Sequence, residues 1–278
     1  MLVTSYDPLM IYLYDDGLVR FATEKYTLDE DQFENRLVHL TNYSIQKKAE
    51  NFVQNKTKNS NNLRASKWSL KTLQKVFEDH NKDFKTVKKR MKDIIIKTII
   101  SVEEPILDSY YSQTNFPKIC YELYGFDIMI DSNLKPWILE VNISPSFSSS
   151  SPFDKTIKTK LICDVLTIVG VRPTNHEKYV MEHKHDEVKL DKEEKSISDI
   201  DPKNLDDEDM EVLFEYEEQI RRTENFELIF PIKKTLKKYI KCFSKNRYKN
   251  FLLWNHLKDP LFDVESMLVE TNYGSQAK

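Results

Sequence analysis

The chain has 278 residues and a formal net charge of −3, with 40% hydrophobic and 31% charged residues. This composition allows one large domain or two small ones with a packed core. Only 4 residues are glycine, which excludes the glycine-rich phosphate loops of Walker and Rossmann nucleotide sites.

The cysteine pattern and the hydropathy pattern indicate the cellular compartment of the protein. The three cysteines, Cys120, Cys163 and Cys242, are far apart and form no CxxC pair, which argues against a disulfide framework or a zinc site. No apolar run reaches the roughly 18 residues of a membrane span, and no basic-then-apolar signal peptide opens the chain. The sequence therefore predicts a soluble protein of the reducing cytosol.

The first 26 residues predict a β-meander. Residues 1–6, 10–14 and 18–22 are rich in β-branched and aromatic residues, as strands are, and residues 15–17 form a tight turn. The strand already under way at residue 1 predicts an N-terminally truncated domain. Residues 27–62 are polar and predict mostly irregular structure, with a clear loop at residues 59–62.

The middle of the chain predicts three helices and a hairpin. Apolar residues at helical spacing predict helices over residues 67–79, 83–107 and 154–169, and Gly170 is a stop signal for the last. The expected core face of the second helix is Val87, Met91, Ile94, Ile95, Thr98 and Val102. Strands at 121–130 and 135–142 predict the hairpin, and a loop of serine and proline follows from Ser144 to Pro152.

Two charged stretches follow. Residues 186–218 hold 15 acidic residues and 4 lysines, which is typical of a solvated linker. Residues 233–249 hold eight Lys or Arg and no acid, with Leu236, Ile240 and Phe243 on another face of one predicted basic helix. That helix has two open interpretations: an ordinary solvated helix, or a surface that attracts an acidic partner.

The hairpin carries the sharpest chemical pattern. Glu140 and Asn142 point to the same side, because side chains alternate along a strand. With a turn at residues 131–134, Asp127 faces Ile138 and lies diagonal to Glu140 on that side. Two carboxylates and an amide oxygen would then converge, and Mg²⁺ prefers such oxygen ligands. The alternative is a half-solvated hairpin with a polar outer face.

Three sequence blocks in the right order carry a family resemblance. They are Asp15-Gly17-Leu18-Val19-Arg20, then His39 to Ser44, then Tyr124 to Asp131 with Leu134 to Asn142. Residues 1–172 resemble the C-terminal part of the catalytic domain of the tubulin tyrosine ligase-like family, and the Ser144 to Pro152 context resembles its polyglutamylase-type members. The resemblance implies an α+β, ATP-grasp-like half with antiparallel strands and packed helices, then a mainly helical or flexible tail.

The resemblance also implies a domain plan and roles for individual residues. Residues 173–222 would be an acidic linker, and residues 223–278 a basic helical extension. Arg20 and Glu140 would be the catalytic residues. The ligand sets would be Asp127, Glu140 and Asn142 for Mg²⁺, Thr41 and Asn42 for ATP, and Arg20, Tyr43, Ser44, Lys67 and Lys158 for the incoming amino acid. From the residues alone, Arg20 and Lys67 could equally be surface cations, Tyr43 a core aromatic, and Thr41 with Asn42 a turn or helix cap.

The implied reaction is ATP-dependent addition of free L-glutamate to glutamate side chains of tubulin tails through an acyl-phosphate. The expected partners are tubulin and microtubules, with no nucleic acid and no membrane, and the expected form is a monomer. The expected location is the cytoplasm and cytoskeleton, with cilium or basal body as options. Because the family's N-terminal half has no counterpart here, this chain alone is expected to ligate poorly. The alternatives are a non-catalytic microtubule-binding half-domain, or a glycine or tyrosine ligase.

Overall fold

The computed structural model describes residues 1–56, 62–113, 121–170, 200, 205–244 and 247–258, except for the side chain of residue 113. The strands are β1 (Leu2–Tyr6), β2 (Leu9–Tyr14), β3 (Leu18–Arg20), β4 (Lys67–Ser69), β5 (Glu122–Ile130), β6 (Pro136–Ile143) and β7 (Phe226–Phe230). The helices are α1 (Arg36–His39), α2 (Tyr43–Gln46), α3 (Leu70–Asp79), α4 (Phe84–Gln113), α5 (Pro152–Val169), α6 (Asp207–Ile220), α7 (Leu236–Tyr239) and α8 (Tyr248–Lys258), with 3₁₀ turns at Glu30–Gln32 and Ile240–Cys242. The fold is therefore mixed α/β. Among the described helices, none is long and apolar enough to cross a membrane.

The chain divides into two compact units. The first comprises residues 1–13, 89–145 and 164–278, and the second comprises residues 14–88 and 146–163. Several predicted features lie outside the described residues: residues 59–61 of the predicted loop, Cys120, residues 173–199 and 201–204 of the predicted acidic linker, and residues 245–246 and 259–278 of the predicted basic extension.

The first unit is organised around a five-stranded sheet with the order β6-β5-β1-β2-β7. Strand β1 pairs antiparallel with both β2 and β5, and β5 pairs antiparallel with β6. The core beside the sheet is apolar and fully enclosed, because β-branched and aromatic side chains of the strands meet the isoleucine face of α4. Its central members are Val3, Leu9, Ile11, Ile95, Ile96, Ile99, Ile229 and Phe230.

The C-terminal part of the chain takes part in this core. Strand β7 forms the sheet edge beside β2, and Leu236 and Tyr239 of α7 are buried in the same cluster. Asn250 of α8 is fully buried and bonds both backbone groups of Leu9, donating to its carbonyl and accepting from its N–H, each at 3.0 Å. The predicted boundaries at residues 172 and 222 remain predictions.

The second unit contains the short antiparallel sheet of β3 and β4, in which Leu18 pairs with Ser69 and Arg20 with Lys67. The predicted third strand of a meander is therefore wrong in its pairing: β3 pairs with β4 and not with β2. The Asp16 carboxylate explains the turn, because it accepts bonds from the N–H of Gly17 at 2.8 Å and of Lys71 at 3.2 Å. These bonds hold β3 against the start of α3.

Two helix predictions need correction. Residues 67–69 of the predicted helix over 67–79 form strand β4, and α3 begins at Leu70, capped by the Ser69 side chain. Helix α4 runs to Gln113 rather than to 107, with Pro105 inside it, and Val102, predicted for the core face, is 43% exposed while Glu103 is buried. Glu103 occupies the inward position because it forms a buried ion pair with Arg247. Burial raises the pKa of the Glu103 carboxyl above its usual value despite that partner.

The charged stretches also differ from expectation. The predicted single basic helix over 233–249 is wrong: α7 and the 3₁₀ turn after it end at Cys242, the backbone of Phe243 is extended, and α8 begins at Tyr248. Crowding of like charges on one helix favours such a break. In the predicted acidic linker, residues 207–220 form helix α6, which buries Val212, Leu213 and Tyr216.

A substitution at Asn250 tests whether the C-terminal helix belongs to the fold of the first unit. Asn250→Ala leaves the Leu9 N–H and carbonyl without partners, so the free energy of unfolding should fall by about 2–4 kcal/mol. The measurement is urea unfolding followed by circular dichroism. The control is Asn225→Ala, which removes one exposed bond to Asp164 and should cost less than about 1 kcal/mol. Equal losses in the two variants would contradict the assignment.

Candidate functional site

The predicted hairpin is confirmed as β5 and β6, but its predicted register is wrong. Ile130 pairs with Pro136 rather than with Lys135, and the pairing shifts between Ile128 and Asp127. Leu139 is the extra residue in β6, a β-bulge. Because of this bulge, Asp127 lies directly opposite Glu140 instead of diagonal to it.

The three polar side chains converge on one face of the hairpin. The Asn142 amide nitrogen lies 3.0 Å from a Glu140 carboxylate oxygen and 3.4 Å from a carboxylate oxygen of Asp127. Asp127 is half-buried, whereas Glu140 and Asn142 are exposed. The opposite face of β5 carries Phe126 and Ile128, which pack on the core of the first unit, so the polar face is held rigidly from behind.

This donor set fits a hard divalent cation. Two carboxylates directly opposite each other repel, and the structure places a positively polarised amide N–H₂ group beside both. A cation would satisfy both carboxylates, and rotation of the Asn142 amide would present its oxygen as a third ligand. Among the described residues, the hairpin included, no group of three His, Cys, Asp or Glu side chains is arranged to hold a metal, and the hairpin offers two carboxylates and one amide. A small number of protein ligands is sufficient for Mg²⁺, because phosphate and water oxygens fill its other coordination positions.

Both ends of the hairpin are fixed by local chemistry. Asp131 accepts bonds from the N–H of Asn133 at 2.8 Å and of Lys135 at 2.9 Å, and from the Trp137 indole at 3.0 Å. At the other end, a Cβ on Gly125 would lie 3.0 Å from Pro145 and 3.6 Å from the Asn142 Cβ. The glycine thus allows the chain after β6 to fold back across the strand beside Asn142.

The second unit brings cations together. Arg20 and Lys67 are directly paired residues of β3 and β4. A small pocket in this unit is lined by Arg20, Phe21, Thr41, Tyr43, Gln46, Phe52, Ser66 and Lys67. Four of the predicted ligand-binding residues therefore line one pocket, whereas Asn42, Ser44 and Lys158 are not among its lining residues.

Lys67 is an anchored cation rather than a surface cation. Its side chain is 17% exposed, and its ammonium forms an ion pair at 2.8 Å with Asp154, whose side chain is 3% exposed. Ser150 adds a hydroxyl bond to the same carboxylate at 2.6 Å. Burial raises the pKa of the Asp154 carboxyl, but Lys67 and Ser150 outweigh it and hold that pKa below its usual range. The Lys67 ammonium also lies 5.6 Å from the centre of the Tyr43 ring.

Lys158 is held by the serine-rich loop. Its ammonium donates to the backbone carbonyls of Ser146, at 2.8 Å, and Ser148. An ammonium has three donors, so one remains for a ligand. Burial lowers the pKa of Lys158, Asp154 opposes that shift, and the positive charges of Lys67 and Arg20 add to it. Among the described residues, no carboxylate forms an ion pair with Arg20 or Lys158.

Within the block His39 to Ser44, residues 40–42 form the turn between α1, which ends at His39, and α2, which begins at Tyr43. Asn42 stands at the N-cap position of α2, but its side chain makes no capping bond, so the helix-cap interpretation of this residue is not supported. Thr41, Asn42 and Ser44 are exposed and Tyr43 is half-buried. The polar side chains of the turn therefore face outward rather than serving the local backbone.

Sequence reasoning missed three supporting residues. Gln46 is 1% exposed; its amide donates to the carbonyls of Leu37, at 3.1 Å, and Leu40, and accepts from the Thr23 N–H at 2.8 Å. It thereby fixes the turn that carries Thr41 to Ser44. Asp154 and Ser150 are the others. A signal for Asp154 was present, since Ser151 caps α5 and Asp154 occupies its first turn, where a carboxylate is favourable.

Comparison with known protein families identifies the family to which this chain belongs. The sequence profile described as "Tubulin-tyrosine ligase family" matches residues 1–179. The chain belongs to this family. It therefore shares with the other members of the tubulin-tyrosine ligase family the region that holds both the hairpin carboxylates and the cation cluster.

Individual relatives are tubulin-modifying proteins by name. The chain is 35% identical over 284 residues to tubulin monoglutamylase TTLL4 of Mus musculus, covering 90% of this chain and 24% of that protein. It is 43% identical over 170 residues to tubulin polyglutamylase TTLL5 of Mus musculus, covering 61% and 13%. It is 36% identical over 273 residues to tubulin polyglutamylase ttll-4 of Caenorhabditis elegans, covering 90% and 44%. The chain thus spans less than half the length of these curated relatives.

A substitution at Gln46 tests how the turn at Thr41 to Ser44 is held in this family member. Gln46→Leu keeps the volume but leaves three backbone groups without partners, so the free energy of unfolding should fall by about 2–4 kcal/mol. Amide exchange of residues 40–44 should accelerate. Gln74→Leu is the control, because Gln74 is exposed on α3 and its side chain donates to that of Glu78, one turn along the same helix. Unchanged exchange at residues 40–44 in Gln46→Leu would refute this role.

Proposed function

We propose that this protein is an ATP-dependent ligase that adds L-glutamate to glutamate side chains of tubulin tails. ATP would transfer its γ-phosphoryl group to the tubulin carboxylate and leave as ADP. The amine of free glutamate would then attack the acyl-phosphate carbon, displace inorganic phosphate and lose a proton to give the isopeptide bond. Family membership and the relatives named as glutamylases support this activity. The observation that carries the choice of glutamate is the cation set of the second unit, which suits an amino acid with two carboxylates.

We assign the ATP–metal end of the reaction to the first unit, in an ATP-grasp-like arrangement. Asp127, Glu140 and Asn142 would hold Mg²⁺, with Glu140 essential for catalysis. Bound Mg²⁺ supplies neutralisation of phosphate charge during transfer. The hairpin's contribution is rigidity: its bulge sets the two carboxylates opposite each other, and the core behind Phe126 and Ile128 keeps them there.

We assign the amino-acid end to the second unit. Arg20 offers a planar guanidinium that can clamp a carboxylate with two bonds, and the free donor of Lys158 can bind a second carboxylate. Tyr43, Ser44 and Lys67 would complete the glutamate site, and Thr41 and Asn42 would contact ATP. Thr41 and Asn42, just before α2, and Ser44, in its first turn, are exposed, which is compatible with these roles. Fixed donors of this kind contribute mainly by positioning the reactants.

The proposed substrate sets the partners and the place of action. Tubulin is the proposed protein substrate, and the microtubule cytoskeleton, including the cilium or basal body, is the proposed location. The five exposed lysines of residues 233–241 would favour encounter with an acidic tubulin tail. We further propose that the protein acts as a monomer.

The direct test is amino-acid transfer to tubulin. The native protein is incubated with microtubules, ATP, Mg²⁺ and labelled glutamate, glycine or tyrosine in parallel. We expect label on tubulin only with glutamate and only with ATP. Transfer of glycine or tyrosine instead would reassign the specificity, and microtubule binding without transfer of any amino acid would make the protein a binding module.

A substitution at Glu140 tests the metal assignment. Glu140→Gln keeps the shape of the side chain but removes its charge, so Mg²⁺-dependent ATP affinity should fall by about tenfold or more while the thermal midpoint stays close to that of the wild type. Calorimetric titration with and without Mg²⁺ measures this. Glu227→Gln is the control, since Glu227 is a strand carboxylate on β7, which forms the opposite edge of the same sheet from β6. Unchanged Mg²⁺–ATP affinity in Glu140→Gln would remove this residue from the site.

The pH dependence of glutamate binding tests Lys158. Burial lowers the pKa of the Lys158 ammonium, and the charges of Lys67 on β4 and Arg20 on β3 lower it further, although Asp154 of α5 opposes them. Lys158 therefore loses its proton at a lower pH than an ordinary lysine. Glutamate affinity should therefore weaken as pH rises through that lowered pKa. In Lys158→Arg the guanidinium stays protonated, so the weakening should move to higher pH. Identical pH profiles for the two proteins would exclude Lys158 as a carboxylate ligand.

A further inference from the structure

The Asp154 carboxylate connects the parts of the second unit that carry the cation set. It is 2% exposed, it lies in the first turn of α5, and it pairs with Lys67 of β4 through both of its oxygens, at 2.8 and 3.0 Å. The same carboxylate accepts the hydroxyl of Ser150 at 2.6 Å and its N–H at 3.3 Å. One buried group thus joins a strand, a helix and the serine-rich loop.

The two cations that lack an ion-pair partner among the described residues belong to the elements that this connection joins, the β3–β4 pair and α5. Arg20 is the direct partner of Lys67 across the β3–β4 pair. Lys158 lies one helical turn after Asp154 on α5 and is held by carbonyls of the loop that Ser150 belongs to. The separation of Arg20 and Lys158 therefore depends on how β4 is fastened to the loop and to α5.

We propose that Asp154 is a positioning residue that fixes the spacing of Arg20 and Lys158 by anchoring Lys67, and that this spacing selects glutamate over the shorter dicarboxylic amino acid aspartate. The inference rests on the proposed function, because it concerns the amino acid bound by the same cations. In this proposal Lys67 has a different role from direct glutamate binding. Its donors are directed to Asp154 and Ser150, so the lysine fastens β4 to Asp154 and contributes little direct contact to the substrate.

The charge count agrees with this assignment. One buried carboxylate compensates one of three cations, which leaves two positive charges for the two carboxylates of an acidic amino acid. Buried charges are retained where a partner satisfies them, and removal of the Asp154 charge would leave Lys67 without its only carboxylate partner among the described residues. Asp154 is also the charge that opposes the lowering of the Lys158 pKa.

The test compares two buried carboxylates in equivalent helix positions. Asp154 is the third residue of α5 behind the Ser151 cap, and Asp209 is the third residue of α6 behind the Asp206 cap, 5% exposed and bonded to Tyr248 at 2.9 Å. Asp154→Asn and Asp209→Asn should both lose stability. Only Asp154→Asn should weaken glutamate binding, by about tenfold or more, with ATP affinity unchanged and with the preference for glutamate over aspartate reduced. Calorimetric titration of the whole protein with glutamate, aspartate and ATP gives all three quantities.

A double-mutant cycle shows whether Asp154 acts through Lys67. In a Lys67→Met background, Asp154→Asn should change glutamate affinity by less than about twofold, because the ion pair is already absent. If the two substitutions instead reduce glutamate affinity by independent factors that multiply, the proposal is overturned. Equal glutamate affinities in Asp154→Asn and wild type would also overturn it, and so would equal losses of glutamate affinity in Asp154→Asn and Asp209→Asn.

If Asp154→Asn does not fold, Ser150→Ala replaces it as the test. This substitution removes one bond to the carboxylate and should weaken glutamate binding about two- to fivefold. Unchanged glutamate binding in Ser150→Ala would overturn the proposal.

The wild-type protein separates this inference from the function on which it rests. A wild type that binds no glutamate overturns both. A wild type that binds glutamate but shows the same preference over aspartate as Asp154→Asn overturns the inference alone and leaves the ligase assignment standing.

Discussion

The backbone of the hairpin sets two carboxylates face to face, and the repulsion between them governs the chemistry of this site. An antiparallel hairpin without a bulge would leave Asp127 opposite Ile138 or Leu139, where no like charge would stand directly across from it. The extra residue at Leu139 brings Glu140 directly opposite Asp127. Like charges in that position destabilise a strand pair, and the Mg²⁺ proposed for this site would relieve that repulsion. The apolar core behind the hairpin prevents the strands from relaxing the conflict.

The second unit presents the reverse situation. Two cations, Arg20 and Lys67, face each other across a short strand pair, and a third, Lys158, is held by backbone carbonyls. Asp154 compensates only Lys67. The first unit thus concentrates negative charge suited to a metal and the second concentrates positive charge suited to carboxylates. A ligase that joins an amino acid to a carboxylate requires both kinds of binding.

The sequence alone predicted the hairpin, the long helix and the three polar side chains on one face, because alternation and helical spacing are local properties. It did not predict the bulge at Leu139, which depends on how the second strand packs. Nor did it predict that β3 pairs with β4, that residues 233–249 break into short helices, or that Gln46 and Asp154 hold the site. These features depend on contacts between residues distant in the chain, such as Lys67 with Asp154 and Asn250 with Leu9.

The opposed carboxylates can be tested by paramagnetic relaxation. Mn²⁺ accepts the same oxygen ligands as Mg²⁺ and broadens the amide signals of residues close to it. Titration of Mn²⁺ into the isotope-labelled protein with ATP should broaden the signals of Asp127, Glu140 and Asn142 first, and excess Mg²⁺ should restore them. Broadening centred elsewhere in the first unit, or none at these three residues, would contradict the account.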